Sequence, residues 1–361
     1  MKNFILIVFL VTTLSAFAQK RNPKNKAVFL EDISWTIAKQ LLIPDAVIII
    51  PLGAGAKEHG PHLPLSTDFL QAEDCINRLA LERNVIITPT INYGFYPAFI
   101  KYAGSTSLSF STSTDMVLQI VRTLSNYGPK RFYIINIGIS TTPTLAIAAN
   151  ILATSGILLF YSDYSRPAFL NADKQIATKA FGGHADELET SNILSIRPDL
   201  VDMSKAVDDT FPKGKKGVLT PTAIQGGILD RSGIVGYATL ATKEKGILSM
   251  TAFTNNVIKE IDSISNCPLP KEKDRTNEYK LYEGKYIDTA GTKLIISQNN
   301  DKLYFIWNGR DLTNFFPLYR DAEDHFTSLI MNVLFVKNEK GEVTKAWCQS
   351  SGINFWVTKV K

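Results

Sequence analysis

Residues 46–52, AVIIIPL, form an apolar run rich in β-branched side chains, with no polar residue interleaved. A strand with one wet face alternates apolar and polar side chains, so this run predicts a strand buried on both faces, as in a parallel sheet covered by helices. The pattern recurs. Residues 85–91 (VIITPTI), 131–138 (RFYIINIG) and 156–161 (GILLFY) read as further strands, whereas 30–41, 68–81, 112–125 and 143–153 carry apolar residues at helical spacing. Strands and helices alternating at these lengths imply right-handed βαβ crossovers and an α/β layer fold with a mostly parallel central sheet. Such sheets bind ligands at the carboxyl ends of their strands, which directs attention to the loops after Pro51 and Asn136.

Beyond this region the rhythm changes. Residues 266–276, NCPLPKEKDRT, shift to charge and proline and read as a linker. Short β-prone runs follow at 282–286, 292–297, 302–307, 327–337, 343–349 and 354–359, which predicts a separate antiparallel barrel or sandwich over 277–361. Its aromatic residues, Tyr304, Phe305, Trp307, Phe315, Phe316, Tyr319, Phe335, Phe355 and Trp356, are expected to form the core, with His325 on the surface.

At the other end, Lys2, an apolar run from 4 to 11 and Ala16-Phe17-Ala18 make residues 1–18 a secretory signal peptide. The organisation expected is therefore signal 1–18, α/β domain 19–265, linker 266–276 and β domain 277–361. Location would be periplasmic or extracellular, with no membrane attachment after cleavage. Cys75, Cys267 and Cys348 are odd in number and far apart, so neither a disulfide framework nor a thiolate metal site is expected. The formal charge of +5 is spread over separate segments such as 213–216 and 271–275, which argues against a nucleic-acid track.

The four histidines are unevenly placed. His59 and His62 stand three apart in the loop after the first strand, GAGAKEHGPHLPLSTD, beside Glu58 and Asp68, and His184 lies in GGHADELETS with Glu189. Imidazoles and carboxylates on loops that follow buried strands are the usual materials of a divalent-metal site. The Gly-Pro turn between His59 and Asp68 lets the chain double back onto one ion, and the two oxygens of Asp68 could bridge two cations. His184 could transfer protons. Each residue also has a plainer reading: Asp68 as a helix cap, His62 as a loop hydrogen-bonder, Glu189 as a solvated helix carboxylate.

Pro51-Leu-Gly, the segment from His59 to Asp68, Ala103-Gly-Ser-Thr106, the segment from His184 to Ser191, Ser232-Gly-Ile-Val-Gly236 and the segment from Ala241 to Gly246 together resemble the creatininase (creatinine amidohydrolase) family. The resemblance covers roughly residues 33–261 and leaves out the β domain. It implies a three-layer α/β fold, often assembled as a homo-oligomer such as a hexamer. It also implies one or two divalent ions, zinc or manganese, that activate water to hydrolyse a linear or cyclic amide C–N bond of a small molecule. Carried over by position, His59, Asp68 and Glu189 are the expected metal ligands, and His184, Glu58 and Lys57 the expected catalytic residues. His62, Ser105, Thr106 and Ser140 are the expected substrate contacts. Two positions depart from the family pattern. Lys57 stands where a glutamate is usual, and residues 136–142, NIGISTT, lack the histidine of the Asn-Gly-His-Gly-Gly-Asn motif. Lys57 could polarise a substrate carbonyl or be simply solvated. A second function class stays open, a catalytically inactive relative that binds a small molecule or glycan. A dinucleotide site does not, because Gly53-Ala-Gly55 lacks the third glycine and the acidic partner.

Overall fold

The computed structural model describes residues 24–179, 183–209, 232–271, 279–299, 302–307, 316–328, 331–350 and 353–360. The signal segment 1–18, the lysine run 213–216, part of the linker (272–276) and Phe315 lie outside the described residues.

The central sheet contains β1 (Val28–Phe29), β2 (Val47–Gly53), β3 (Ile86–Ile87), β4 (Arg131–Ile137) and β5 (Leu158–Tyr161). Their order is β1-β3-β2-β4-β5, and every pairing is parallel. Ile49 and, from β4, Tyr133 and Ile135 face α2 (Thr67–Glu82) and α7 (Lys243–Asn266). Ile48, Ile50 and Leu52 face the opposite way, onto α3 (Phe110–Ser125) and α4 (Thr142–Ala153). Both faces of β2 are thus covered, which is why its sequence never alternates. On the α7 side lie also α5 (Pro167–Ile176) and α6 (Glu187–Ile196), while α1 (Trp35–Leu41) lies on the surface with Trp35 exposed.

Several expected elements are shorter or divided. The strand read over 85–91 is regular only at Ile86–Ile87, because Pro89 has no N–H to donate; the chain still follows β2, with Ile91 N donating to Pro51 O at 2.9 Å. The helix read over 30–41 breaks at Ile33, whose extended backbone separates a 3-10 turn at Leu30–Asp32 from α1. A two-stranded ribbon of β6 (Asp208–Asp209) and β7 (Gly236–Tyr237) was not anticipated.

The C-terminal unit is a closed eight-stranded antiparallel barrel: β8 (Gly284–Ile287), β9 (Lys293–Asn299), β10 (Lys302–Trp307), β11 (Phe316–Ala322), β12 (His325–Thr327), β13 (Asn332–Lys337), β14 (Val343–Ser350) and β15 (Ile353–Lys359). The run read as one strand over 327–337 is two antiparallel strands, β12 and β13, with Ser328 N donating to Met331 O at 2.8 Å. The strand β11, with Pro317 and Arg320 inside it, escapes a pattern search for β-branched alternation. The aromatic residues divide by strand alternation. Phe305 and Phe335 fill the barrel interior, but Trp356 points outward and is 51% exposed beneath the Lys345 ammonium. Tyr319 leaves the barrel core altogether: it packs with the α3 and α4 apolar residues, and its hydroxyl donates to Ser111 O at 3.0 Å. His325 is half-buried in β12. All three cysteines are free. Among the described residues no helix is long and apolar enough to cross a membrane.

Gly53 ends β2 where the first turn of α2 presses against it, and a β-carbon there would collide with the Asp68 carbonyl group. Gly53→Ala is expected to lower stability by about 1–3 kcal/mol, the usual cost of overpacking. Urea unfolding checks this, and an unchanged midpoint would contradict the close approach.

Candidate active site

The loop after β2 is tied down along its length. Gly55 N donates to Asn92 O, Lys57 N to Leu65 O and Thr106 N to Ala56 O, each at 2.9 Å, and Glu58 N donates to Ser105 Oγ at 2.9 Å. The Ser105 and Thr106 hydroxyls, expected against substrate, meet the loop backbone, Thr106 Oγ1 donating to Ala56 O. The loop returns into α2, and Asp68 falls in its first turn, where the helix N-terminus favours a carboxylate. Ser66, not Asp68, takes the cap position. The Asp68 side chain instead turns into the protein and is fully buried.

Two groups meet that carboxylate. His59 Nε2 lies 2.7 Å from Oδ1, and the Lys57 ammonium lies 2.7 Å from Oδ2. The lysine contact falls outside hydrogen-bond geometry, yet opposite full charges this close and this buried make it an ion pair. Burial alone would push the Asp68 carboxyl up, but Lys57 and His59 outweigh it and hold the group well below the usual carboxylate range. The possibility of a solvated lysine is thereby corrected: Lys57 is 4% exposed, with Phe99 and Tyr96 ring centres 5.0 and 5.7 Å from its nitrogen.

The second segment comes from the loop before α6. His184, on the loop before α6, is buried between the His59 ring at 4.9 Å and the Phe99 ring at 4.5 Å. Its Nε2 lies 3.0 Å from Glu58 Oε2, and its Nδ1 lies 3.8 Å from Glu189 Oε2. Burial lowers the His184 pKa, with the Glu58 hydrogen bond opposing. Glu58 also accepts from Gly60 N, and Gly233, at φ +71, leaves the room this carboxylate occupies, since a β-carbon there would overlap it. Asp186 caps α6 by accepting from Leu188 N and Glu189 N. Burial and the nearby Glu189 charge push Asp186 up to about 7 and Asp173 up to about 6.

His62 Nε2 lies 2.7 Å from Thr190 Oγ1, while its Nδ1 is buried with no hydrogen-bond partner. Burial pushes this imidazole down to about 4 despite the pull of Glu189 and Glu58. Ser140 is half-buried in the turn before α4. Sequence reasoning missed Tyr96 and Phe99, which give no signal because an aromatic residue in a loop reads as packing, and it missed Thr190 and Gly233.

These residues fit a divalent cation. His59 Nδ1 lies 2.9 Å from Lys57 O, and a carbonyl only accepts, so Nδ1 carries a proton and Nε2, 2.7 Å from Asp68 Oδ1, is the nitrogen that would meet a cation. That is the orientation in which an outer partner prepares a histidine ligand. His59, His184 and Glu189 each offer a ligand atom within 4.8 Å of the others. Among the described residues this is the group of three that could hold an ion, and it includes His184, which the sequence reading had assigned to proton transfer.

The creatininase family model, described as creatinine amidohydrolase, matches residues 31–261. The chain belongs to the creatininase family. Its members include hydrolases acting on C–N bonds, and metal binding goes with membership. Creatinine amidohydrolase from Pseudomonas putida is 26% identical over 261 residues, covering 66% of this chain and 97% of that protein. A 3-dehydro-scyllo-inosose hydrolase from Thermotoga maritima is 26% identical over 267 residues, covering 65% of this chain and 83% of that protein. The mycofactocin precursor peptide peptidase of Mycolicibacterium smegmatis is 26% identical over 227 residues, covering 60% of this chain and 85% of that protein. Among solved structures, a creatininase mutant superimposes with a TM-score of 0.55 at 25% identity, covering 67% of this chain and all of that one. A manganese creatininase gives 0.54 at 24% identity, with the same coverage. The barrel lies outside the family match.

The His62 shift sets a pH dependence. Unfolded, its pKa is near 6.5; folded, about 4, so the native state binds fewer protons between these values and stability falls as pH drops through that window. His62→Asn is expected to flatten this decline in metal-free protein, measured by urea unfolding at pH 7, 5.5 and 4.5; parallel declines in both proteins would contradict it.

Proposed function

We propose that this chain is a metal-dependent amidohydrolase that cleaves a C–N bond in a small linear or cyclic amide, with a metal centre altered from the family pattern. One observation carries the reading: His59, His184 and Glu189 converge to within 4.8 Å, beside the buried Asp68, at the carboxyl edge of a parallel sheet. His59, Asp68 and Glu189 would hold zinc or manganese, with His184 completing the set. When bound, the ion supplies a Lewis acid that polarises the carbonyl and acidifies water.

The chain's own residues supply the rest. Glu58, hydrogen-bonded to His184, is placed to accept a proton from water and return it to the leaving nitrogen. Phe99 and Tyr96 shield this pair and Lys57 from bulk water, which strengthens every charge interaction inside. His62, neutral at physiological pH, could offer its unpartnered Nδ1 as an acceptor. The inactive-binder reading has no observation in its favour. Export through residues 1–18 and homo-oligomer assembly belong to the same proposal.

Purified mature protein is expected to carry zinc or manganese and to hydrolyse members of a panel of lactams, hydantoins and linear N-acyl compounds. Asp68→Ala should lose both metal and turnover, while Glu58→Gln should keep the metal and lose about 10²- to 10⁴-fold in kcat. Wild-type protein that takes up no ion under saturating zinc and manganese would overturn the assignment.

A further inference from the structure

The second oxygen of Asp68 already has a cation. Lys57 Nζ sits 2.7 Å from Oδ2, on the side away from His59, and it is held there by burial and by the faces of Phe99 and Tyr96. At the end of β4 the chain offers no competing ligand, because residue 138 is glycine. A β-carbon on Gly138 would stand in ordinary contact, 3.6 Å from Asp68 Oδ2 and 3.8 Å from the Lys57 nitrogen, so residue 138 borders the ion pair without supplying a ligand to it. The neighbouring Asn136 is turned away: its Nδ2 donates to Gly138 O and its Oδ1 accepts from the Thr141 hydroxyl.

We infer that the Lys57 ammonium is a resident cation on Asp68, so that this centre takes a single divalent ion, on the His59 side only. The inference rests on the metal-centre reading above. A second divalent ion would have to displace the ammonium into an aromatic pocket or share its oxygen at close range, and like charges this near repel strongly where water is excluded. Lys57 acts here through Asp68, as a positioning residue. It fixes the carboxylate's orientation and keeps Oδ1 turned to His59, a task that in a centre with two ions belongs to the second ion.

The test is a count. Full-length mature protein and Lys57→Glu are saturated with zinc, or separately with manganese, desalted, and measured by native mass spectrometry and elemental analysis. The expected result is one ion per chain in the wild type and two in Lys57→Glu, where a carboxylate replaces the ammonium. Lys57→Gln, neutral and of similar reach, covers the case in which the glutamate variant does not fold. It is expected to show a second, weaker binding event by calorimetry that the wild type lacks. Two ions in the wild type would overturn this inference and leave the metal-centre reading standing. One ion in the wild type, together with no additional binding in the folded variants, would remove the role of Lys57. No ion in the wild type would overturn both.

Discussion

A carboxylate with no exposure to water, Asp68, carries the site, and it is tolerable there only because positive or polarised groups reach both of its oxygens. An unpaired buried charge would protonate or destabilise the fold. The pairing explains several otherwise separate features. The loop of residues 54–66 is cross-linked to neighbouring loops, so that Lys57 and His59 stay aimed at one target. Gly53 lets α2 begin hard against β2, which delivers Asp68 to that target, and Phe99 and Tyr96 close over the lysine. A shift in any of these would separate charges that the interior cannot leave alone.

The second segment follows a similar logic with weaker constraint. The loop that carries His184 forms a short antiparallel bridge with Val235, and α6 then projects Glu189 from its first turn. Glu58 links the two halves through its hydrogen bond to His184, so residues over a hundred positions apart share one proton network. Asp173 and Asp186 are both pushed upward, first by burial and then by the nearby Glu189 charge. The barrel stands apart from this chemistry: its described connection to the α/β unit includes Tyr319, which crosses to α3 and leaves the barrel's own interior to Phe305, Phe326 and Phe335.

Much of this was legible in the residues. Unbroken apolar runs fixed the parallel sheet, since only burial on both faces permits them, and the change to short β-prone runs after 276 marked the barrel. Clustering of His59, His62 and Asp68, with His184 and Glu189, marked the centre. Other features were not readable. Pro89 shortens β3, and β11 hides behind a proline and charged residues. Lys57 could be read equally as solvated or functional, because a lysine's chemistry depends on what surrounds it.

The sequence by itself determined the layer architecture, the family, and the residue types available to a cation, because hydrophobic period and ligand chemistry are local properties. Only the tertiary structure decided which oxygen of Asp68 each partner takes, that Lys57 is buried among aromatic rings, and that His184 joins His59 and Glu189. Those outcomes depend on distances between segments far apart in the chain, and the charge interactions that govern them vary steeply with separation and exposure to water.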